Sequence, residues 1–442
     1  MIMSSDIGYK LMIGVILILL CCLVAIYEAG LGILQVIGLQ ASVNVNHVIT
    51  GSFLNPGPYG GLIAVLLSVL VAFIWMNRHC QHRVGKALNV ISALSAALCV
   101  IVLPASMSRA AWLSFGVAFV TLGFREMGFR NWIREHRKAS AAICLILLVV
   151  MTGVFHMKKD SAIGRFHIWH MELRAIAENP LTGTGRGSVL GTYGRVQAEY
   201  FAAKERSETI VRVAGCPEYA FNEYLKIGVE YGVVPMLAVI AAVMSVIYVL
   251  LRHRVPAAYG MTALAVFSFF SYPFSLIGKD RPEVKEWQNA RMYGSMGLYK
   301  EFVEQTEPLM PALGDNYRFL YDYGYALHNL GRYEESIEVL EEGTAISSDP
   351  MFYNIIGKNL QALGRYAEAE KAFLHAHYMV PCRIYPLSLL MEMKVSLNDH
   401  DKALEYGRII MSMPVNQRHT GMVRLQNEAR ECMDSLNVIL NY

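Results

Sequence analysis

The sequence predicts an all-α protein in two parts: a polytopic bundle of about seven membrane helices over residues 1–278, then an α-solenoid of paired helices over residues 279–442. Three observations predict it. Of 442 residues, 54% are hydrophobic and only 17% charged, and the mean hydropathy is +0.34; a soluble globular chain carries about 25% charge. The hydrophobicity is concentrated ahead of residue 279, in runs that lack the alternation of a barrel strand, so the spans are helices. Behind it, one short pattern returns at a near-constant interval.

A helix crosses the ~30 Å hydrocarbon core with about 20 residues. Seven stretches come close: Leu11–Tyr27, Gly60–Met76, Ala87–Leu103, Ala105–Phe124, Ala139–Met157, Val233–Leu251 and Pro256–Ile277. The short loops set the orientation, because Lys and Arg stay on the cytoplasmic side. Asn77–Lys86, Arg125–Lys138 and the Arg252–Arg254 turn are all basic, and in a seven-span chain they share one side. The N-terminus is then cytoplasmic and the tail outside. The segment after Glu28, the Pro104–Arg109 turn and a long polar insert, His156–Gly232, face outward with the tail. Arg109 lies sixteen residues before Arg125, about 24 Å along a helix, which puts it at the outer edge of the core. The first apolar run lacks a small-residue cleavage site and reads as an anchor, not a removed signal.

The net charge of +3 is too small to point to nucleic acid. Eight cysteines include no CxxC pair, and five lie in or beside apolar runs, which reads as packing. Cys216, Cys382 and Cys432 are the soluble thiols, and the sequence leaves their pairing open.

In the tail, MGLYKEFVE, LGRYEESIE and LGRYAEAEK align, with Gly297, Gly331 and Gly364 spaced 34 and 33 residues apart. Tyr299, Tyr333 and Tyr366 keep the same steps, and Gly324 and Gly357 precede the later glycines by seven residues. Ala369, Phe373, Ala376 and Pro381 complete the third unit, and NDHDKALEYGRIIMSMP reads as a degenerate further one. The pattern resembles the tetratricopeptide repeat, in which small residues let paired helices approach and an aromatic fills the seam. For function it implies an interaction surface and a protein partner.

The insert and its neighbours carry the candidate chemistry. Arg109, in LPASMSRAAWLSFG, is either a snorkelling interface anchor or an anion ligand under the outer headgroups. In GRFHIWHMELRAIAENP, Arg165, Trp169 and Glu172 share a helical face that Asn179-Pro180 ends; the plainer reading is an amphipathic helix lying on the membrane. His167 and His170 are three apart without a third ligand, so no metal is expected. LTGTGRGS is a glycine-rich turn around Arg186, able to converge backbone N–H groups on an oxyanion. It has no GK[ST] and no preceding strand, so it is not a nucleotide loop. In AFNEYLKIGVEYG, Asn222, Lys226 and Glu230 fall on one face as the chain re-enters the membrane, either lining a cavity or forming a solvated helix top. Asn55, in GSFLNPGPYGG, sits in a turn at the same face.

In this order, GSFLNPGPYGG, MSRAAWL, GRFHIW with NPLTGTGRGS, and FNEYLKIGVEYG ahead of an apolar span resemble the O-antigen ligase family of bacterial inner membranes. That family includes polysaccharide polymerases and protein O-oligosaccharyltransferases. The resemblance covers roughly residues 11–278, and the chain looks like the latter part of a longer architecture, since relatives carry several more helices ahead of the first one here. It implies transfer of a glycan from undecaprenyl pyrophosphate to an acceptor hydroxyl at the outer face of the inner membrane, with a lipid, a glycan or a protein as acceptor. It requires neither metal nor cofactor. Arg109 and Arg165 would grip the diphosphate, Arg186 would assist, and Asn222, Asn55, His167 and Trp169 would line the substrate site. The histidine expected before Asn222 is replaced by Phe221, leaving Glu218, Glu223 or His167 as the general base. The alternatives are a polymerase with a second lipid-linked glycan as acceptor, and a non-catalytic membrane scaffold. A transporter is disfavoured, because the spans hold almost no charge away from their ends.

Overall fold

The computed structural model describes residues 2–44, 46–157, 159–274, 281–414 and 420–440. All regular structure among them is helical, and the chain forms two compact units. The first comprises residues 1–157, 221–224 and 235–276; the second comprises 158–220, 225–234 and 277–442. The domain boundary expected at 278, and the end of the seventh span at Ile277, lie outside the described residues.

The first unit contains α1 (Ile2–Val36), α2 (Pro56–Met76), α3 (Arg83–Ala105), α4 (Arg109–Leu122), α5 (Phe129–Glu135) and α6 (Arg137–Met157). The chain continues through α7 (Lys159–Glu178), α8 (Val189–Ala202), α9 (Glu208–Val213) and α10 (Glu223–Tyr231) before the apolar α11 (Val233–Arg252) and α12 (Ala257–Phe270). Each of the seven apolar stretches carries a helix. Met12–Val36, Pro56–Met76, Arg83–Ala105 and Val233–Arg252 are long and apolar enough to cross a membrane, whereas Ala257–Phe270 is a shorter apolar helix. Two expectations need correction. The first helix does not end at Tyr27 but runs on to Val36. The fourth stretch, expected as one span from Ala105 to Phe124, is a 14-residue helix from Arg109 to Leu122, about 21 Å long. Pro104 closes α3, a turn with Met107 at φ 49° follows, Ser108 caps α4, and a π-helical turn over Gly123–Met127 ends it.

α2 is the centre of this unit, packed against α1, α3, α4 and α12. Its Tyr59, Ile63, Leu67 and Leu70 are buried with Ala25 and Ala29 of α1, Cys99 and Val102 of α3, Ala110 and Ala111 of α4, and Phe267 of α12. The basic loops gather at one end of the bundle. There Trp75 Nε1 donates to the Glu126 carbonyl (3.1 Å), Arg125 Nη2 to the Leu251 carbonyl (3.0 Å), and Arg254 pairs with Glu126 (3.4 Å).

The second unit joins the insert helices α7–α9 to the tail: α13 (Pro282–Ser295), α14 (Tyr299–Thr306), α15 (Met310–Leu313), α16 (Tyr317–Asn329), α17 (Tyr333–Ile346), α18 (Met351–Ala362), α19 (Tyr366–Met379), α20 (Tyr385–Ser396), α21 (His400–Ser412) and α22 (Thr420–Leu440). The pairs α13/α14, α16/α17, α18/α19 and α20/α21 are the expected helical hairpins, and α22 closes the run. Gly297, Gly331 and Gly364 turn the first three at φ 75–77°, a left-handed backbone that glycine adopts freely. Asn398 takes the same place in the fourth pair at φ 56°, asparagine being the side chain best suited to that region after glycine. Inside the pairs, Gly324 lies against Leu340 and Gly357 against Phe373, the seam predicted for the repeat.

Candidate functional site

The end of the bundle away from the basic loops is built from three turns. The segment between α1 and α2 is held down by two side chains of α1. Glu28, buried in that apolar helix, accepts from Ser52 N (3.1 Å) and Ser52 Oγ (2.5 Å), and its carbonyl accepts from Tyr59 Oη (3.1 Å). Gln35 accepts from Thr50 N (2.9 Å) and Gly51 N (2.8 Å) and donates to the Gly51 carbonyl (2.9 Å). This delivers Asn55 as the residue before α2, half-buried, with Pro56 starting the helix.

The second turn presents Arg109. Ser106 Oγ donates to the Leu103 carbonyl (2.7 Å) and Trp112 Nε1 to the same carbonyl (2.9 Å). Arg109 is then the first residue of α4, half-buried, where the positive end of a helix adds to its own charge. Gly60 of α2 sits so close that an added Cβ would lie 2.7 Å from Ser106 Oγ. The first turn of α2, behind Asn55, therefore packs on the turn that carries Arg109.

The third turn is Phe221–Tyr224 with the segment after α12. Phe221 stands at φ 54°, its ring edge-on to Tyr272 at 5.2 Å. Asn222 and Glu223 are both buried. Asn222 Oδ1 accepts from Tyr224 N (3.0 Å), Glu223 Oε1 accepts from Phe274 N (3.0 Å), and Tyr224 Oη donates to the Ala265 carbonyl (3.1 Å). Phe267 of α12 packs on Gly61 of α2. Asn55, Arg109, Asn222 and Glu223 are thus gathered at one end of one compact unit, which their separation in sequence did not require.

The other candidates belong to the second unit. In α7, Arg165 and Trp169 are half-buried. Glu172, on the same face, is fully enclosed; its Oε2 has no hydrogen-bond partner among the described residues, and burial pushes the carboxyl well above its ordinary range. The helix buries His167 and Glu172 and exposes Phe166 and Leu173.

His167 is bonded through Nε2 to Gln197 Oε1 (2.8 Å), with Tyr200 and Phe201 against its ring. Burial holds its pKa below the usual imidazole value, although the Gln197 bond opposes that shift. Gln197, which no motif singled out, is the hub of this region. Its Oε1 also accepts from Tyr193 Oη, and its Nε2 donates to the carbonyls of Gly215 (3.0 Å) and Met379. One buried amide thereby ties α7, α8, the 215 segment and repeat helix α19 together.

The glycine-rich turn does converge N–H groups, but on the end of α10. Thr184 N donates to the Val229 carbonyl (2.8 Å), Gly185 N to the Glu230 carbonyl (3.0 Å) and Gly187 N to Glu230 Oε1 (3.1 Å). Gly183, at φ 65°, lies so near the Glu230 backbone that any Cβ would collide with it. Arg186 stands exposed at the tip; Asp315 of the tail, whose carboxyl is held below its usual range chiefly by its bond to Arg281, also feels the Arg186 charge. Glu218 forms an ion pair with Arg318 of α16 at 2.6 Å.

The bundle of apolar helices and the helical-repeat tail define a multi-pass membrane protein. Residues 94–240 match the family model described as O-Antigen ligase, and residues 317–350 match a tetratricopeptide repeat. Residues 94–240 are therefore similar to the O-antigen ligase family, and a stretch similar to a tetratricopeptide repeat follows them. No curated protein matches the chain. Among solved structures, one titled "Crystal structure of MamA protein" is similar at 17% identity and a TM-score of 0.29, covering 36% of this chain and 88% of that one.

Proposed function

We propose that the chain transfers a glycan from a polyprenyl-pyrophosphate donor to an acceptor hydroxyl at the outer face of the bacterial inner membrane, with the tail in the periplasm. One observation carries this reading: the O-antigen ligase match, residues 94–240, brackets every candidate from Arg109 to Glu223. Such a transfer asks a protein mainly for positioning and for stabilisation of the departing diphosphate. Arg109 suits the second task, because a guanidinium stays charged, binds phosphate in a bidentate fork, and here starts a helix. Arg165 and Arg186 are assigned the same chemistry.

The acceptor hydroxyl attacks the anomeric carbon, its proton passes to a base, and the lipid diphosphate leaves with the bonding pair. Glu223 is the base we favour. Glu223 shares a unit with Arg109, whereas His167 and Glu218 belong to the other unit. Phe221 fills the histidine's place by packing on Tyr272, so it offers no proton acceptor. Arg109→Ala and Arg165→Ala should each abolish transfer of lipid-linked glycan while the protein still inserts into membranes. Wild-type transfer by both variants would remove the assignment.

A further inference from the structure

The turn that carries Arg186 is zipped onto the end of α10. Thr184 N donates to the Val229 carbonyl (2.8 Å), Gly185 N to the Glu230 carbonyl (3.0 Å), and Val233 N donates back to the Pro180 carbonyl (2.7 Å). These bonds give the last carbonyls of a helix the donors they lack within it. They use only main chain, so any residue at 229 or 230 would supply them. Gly187 N is different, because it donates to Glu230 Oε1 (3.1 Å), on a side chain that α10 buries. The two N–H groups that flank Arg186, those of Gly185 and Gly187, therefore both end on Glu230. The plain reading is a structural tie between a loop and a helix end.

Two observations favour more than a tie. Gly185 and Gly187 stand at φ 100° and 79°, and a Cβ at either would meet open space, so hydrogen bonds rather than packing set the backbone on both sides of Arg186. The Arg186 side chain is exposed, and Asp315, the carboxylate that feels its charge, is already bonded to Arg281 through both oxygens (2.7 and 2.6 Å). We propose that Glu230 is a positioning residue: its carboxylate fixes the backbone after Arg186, so that the guanidinium is held ready for the diphosphate of a polyprenyl-pyrophosphate donor. This role presupposes the donor chemistry proposed above. A guanidinium fork has to meet two oxygens at once, and ordering a loose turn at the moment of binding subtracts from affinity. Holding Gly187 beforehand strengthens the contact although Glu230 never touches the ligand.

The test is a double-mutant cycle on binding, with farnesyl pyrophosphate as the probe and the full-length chain in detergent. Arg186→Ala should weaken binding by about tenfold, the scale of one charge-assisted contact. Glu230→Leu, which keeps the buried volume and removes the acceptor, should weaken it by about fivefold. The double variant should bind within about twofold of Arg186→Ala, since a residue that acts through Arg186 then has nothing left to act on. Glu230→Gln keeps an oxygen for Gly187 N and should bind as wild type does. Amide exchange across residues 183–188 should quicken in Glu230→Leu while α8 exchanges as in wild type. Additive losses in the cycle, undiminished binding by Arg186→Ala or by Glu230→Leu, or a collapse of α8 protection in Glu230→Leu would overturn the positioning role alone. A wild-type chain that binds farnesol as well as farnesyl pyrophosphate, or binds neither, would remove the donor reading and the positioning role with it.

Discussion

Gln197→Leu is the sharpest perturbation of the insert–tail unit, because it removes four hydrogen bonds while nearly preserving volume. Its consequence follows from what each partner has left. Tyr193 Oη still reaches the Gly215 carbonyl at 3.4 Å, so those two groups keep one another. The His167 N–H and the Met379 carbonyl lose the bonds that Gln197 gives them. At about 2 kcal/mol for each buried group left unpaired, the loss is about 4 kcal/mol. The two methyl groups of leucine return about 1.5 kcal/mol by apolar burial. A net cost of about 2.5 kcal/mol should lower the melting temperature of this unit by roughly 5–10 °C. Amide exchange in α8 and in residues 372–380 should quicken by roughly 50-fold, since each 1.4 kcal/mol is tenfold. Hydrogen-exchange mass spectrometry of the full chain in detergent would read both segments. Exchange within threefold of wild type, with an unchanged melt, would refute Gln197 as the hub.

Gly191→Ala should also destabilise this unit, against the usual gain of about 1 kcal/mol for replacing glycine in a helix, because its Cβ would collide with the Ala345 carbonyl; a raised melting temperature would contradict that packing. His377 Nδ1 is buried without a hydrogen-bond partner among the described residues, and burial pushes the imidazole pKa down to about 4. The unfolded chain therefore binds more protons between pH 6.5 and 4, so stability is complete above about pH 6.5 and falls as the pH drops toward 4, by about 3 kcal/mol at most. Denaturant titrations across that window should show the slope shrink in His377→Gln.

The repeats were legible because their constraints are local. A left-handed turn every 33 or 34 residues demands glycine or asparagine, and Asn398 shows the rule surviving where the motif had degenerated. The apolar stretches were legible for the same reason. The Pro104–Arg109 turn was legible too, but the apolar window carried the fourth stretch back to Ala105, whereas Ser108 caps the helix and starts it at Arg109. Glu28 had a signal that went unused: a lone carboxylate in an apolar helix must find donors, and Ser52 supplies them. Gln197 had almost none. A glutamine in GRVQAEY looks like any solvated helix residue, and only long-range contacts reveal that four groups converge on it. Arg109, Asn55, Asn222 and Glu223 were named from order and residue type, but their convergence on one end of the bundle depends on helix lengths and on the packing of Gly60 and Gly61, which no window of sequence contains.

The tail was expected to offer a surface to some partner, and part of that surface already has an occupant from this chain. α8 packs on α17 and α19, the second helices of two neighbouring pairs. It reaches them because Gly191 and Gly194, three residues apart on one face, bring its backbone against Thr344, Ala345 and Ser348. Val189, Tyr193, Val196 and Phe201 are buried in the unit α8 helps to form. A solenoid is held by contacts between neighbouring repeats, which leaves it free to flex along its length. A helix laid across two successive second helices, and fastened at Gln197 and along Gly215–Glu218, opposes that flexing where it binds. The same contacts act in the other direction: the His167-bearing helix α7 is held by Gln197, and Gln197 is held by Met379 of the tail. The insert that carries Arg165 and Arg186 is therefore ordered by the repeats as much as by its own short helices. An external partner has to use another face of the repeats, such as the one presented by the first helices α16, α18 and α20, or else compete with α8 for this one.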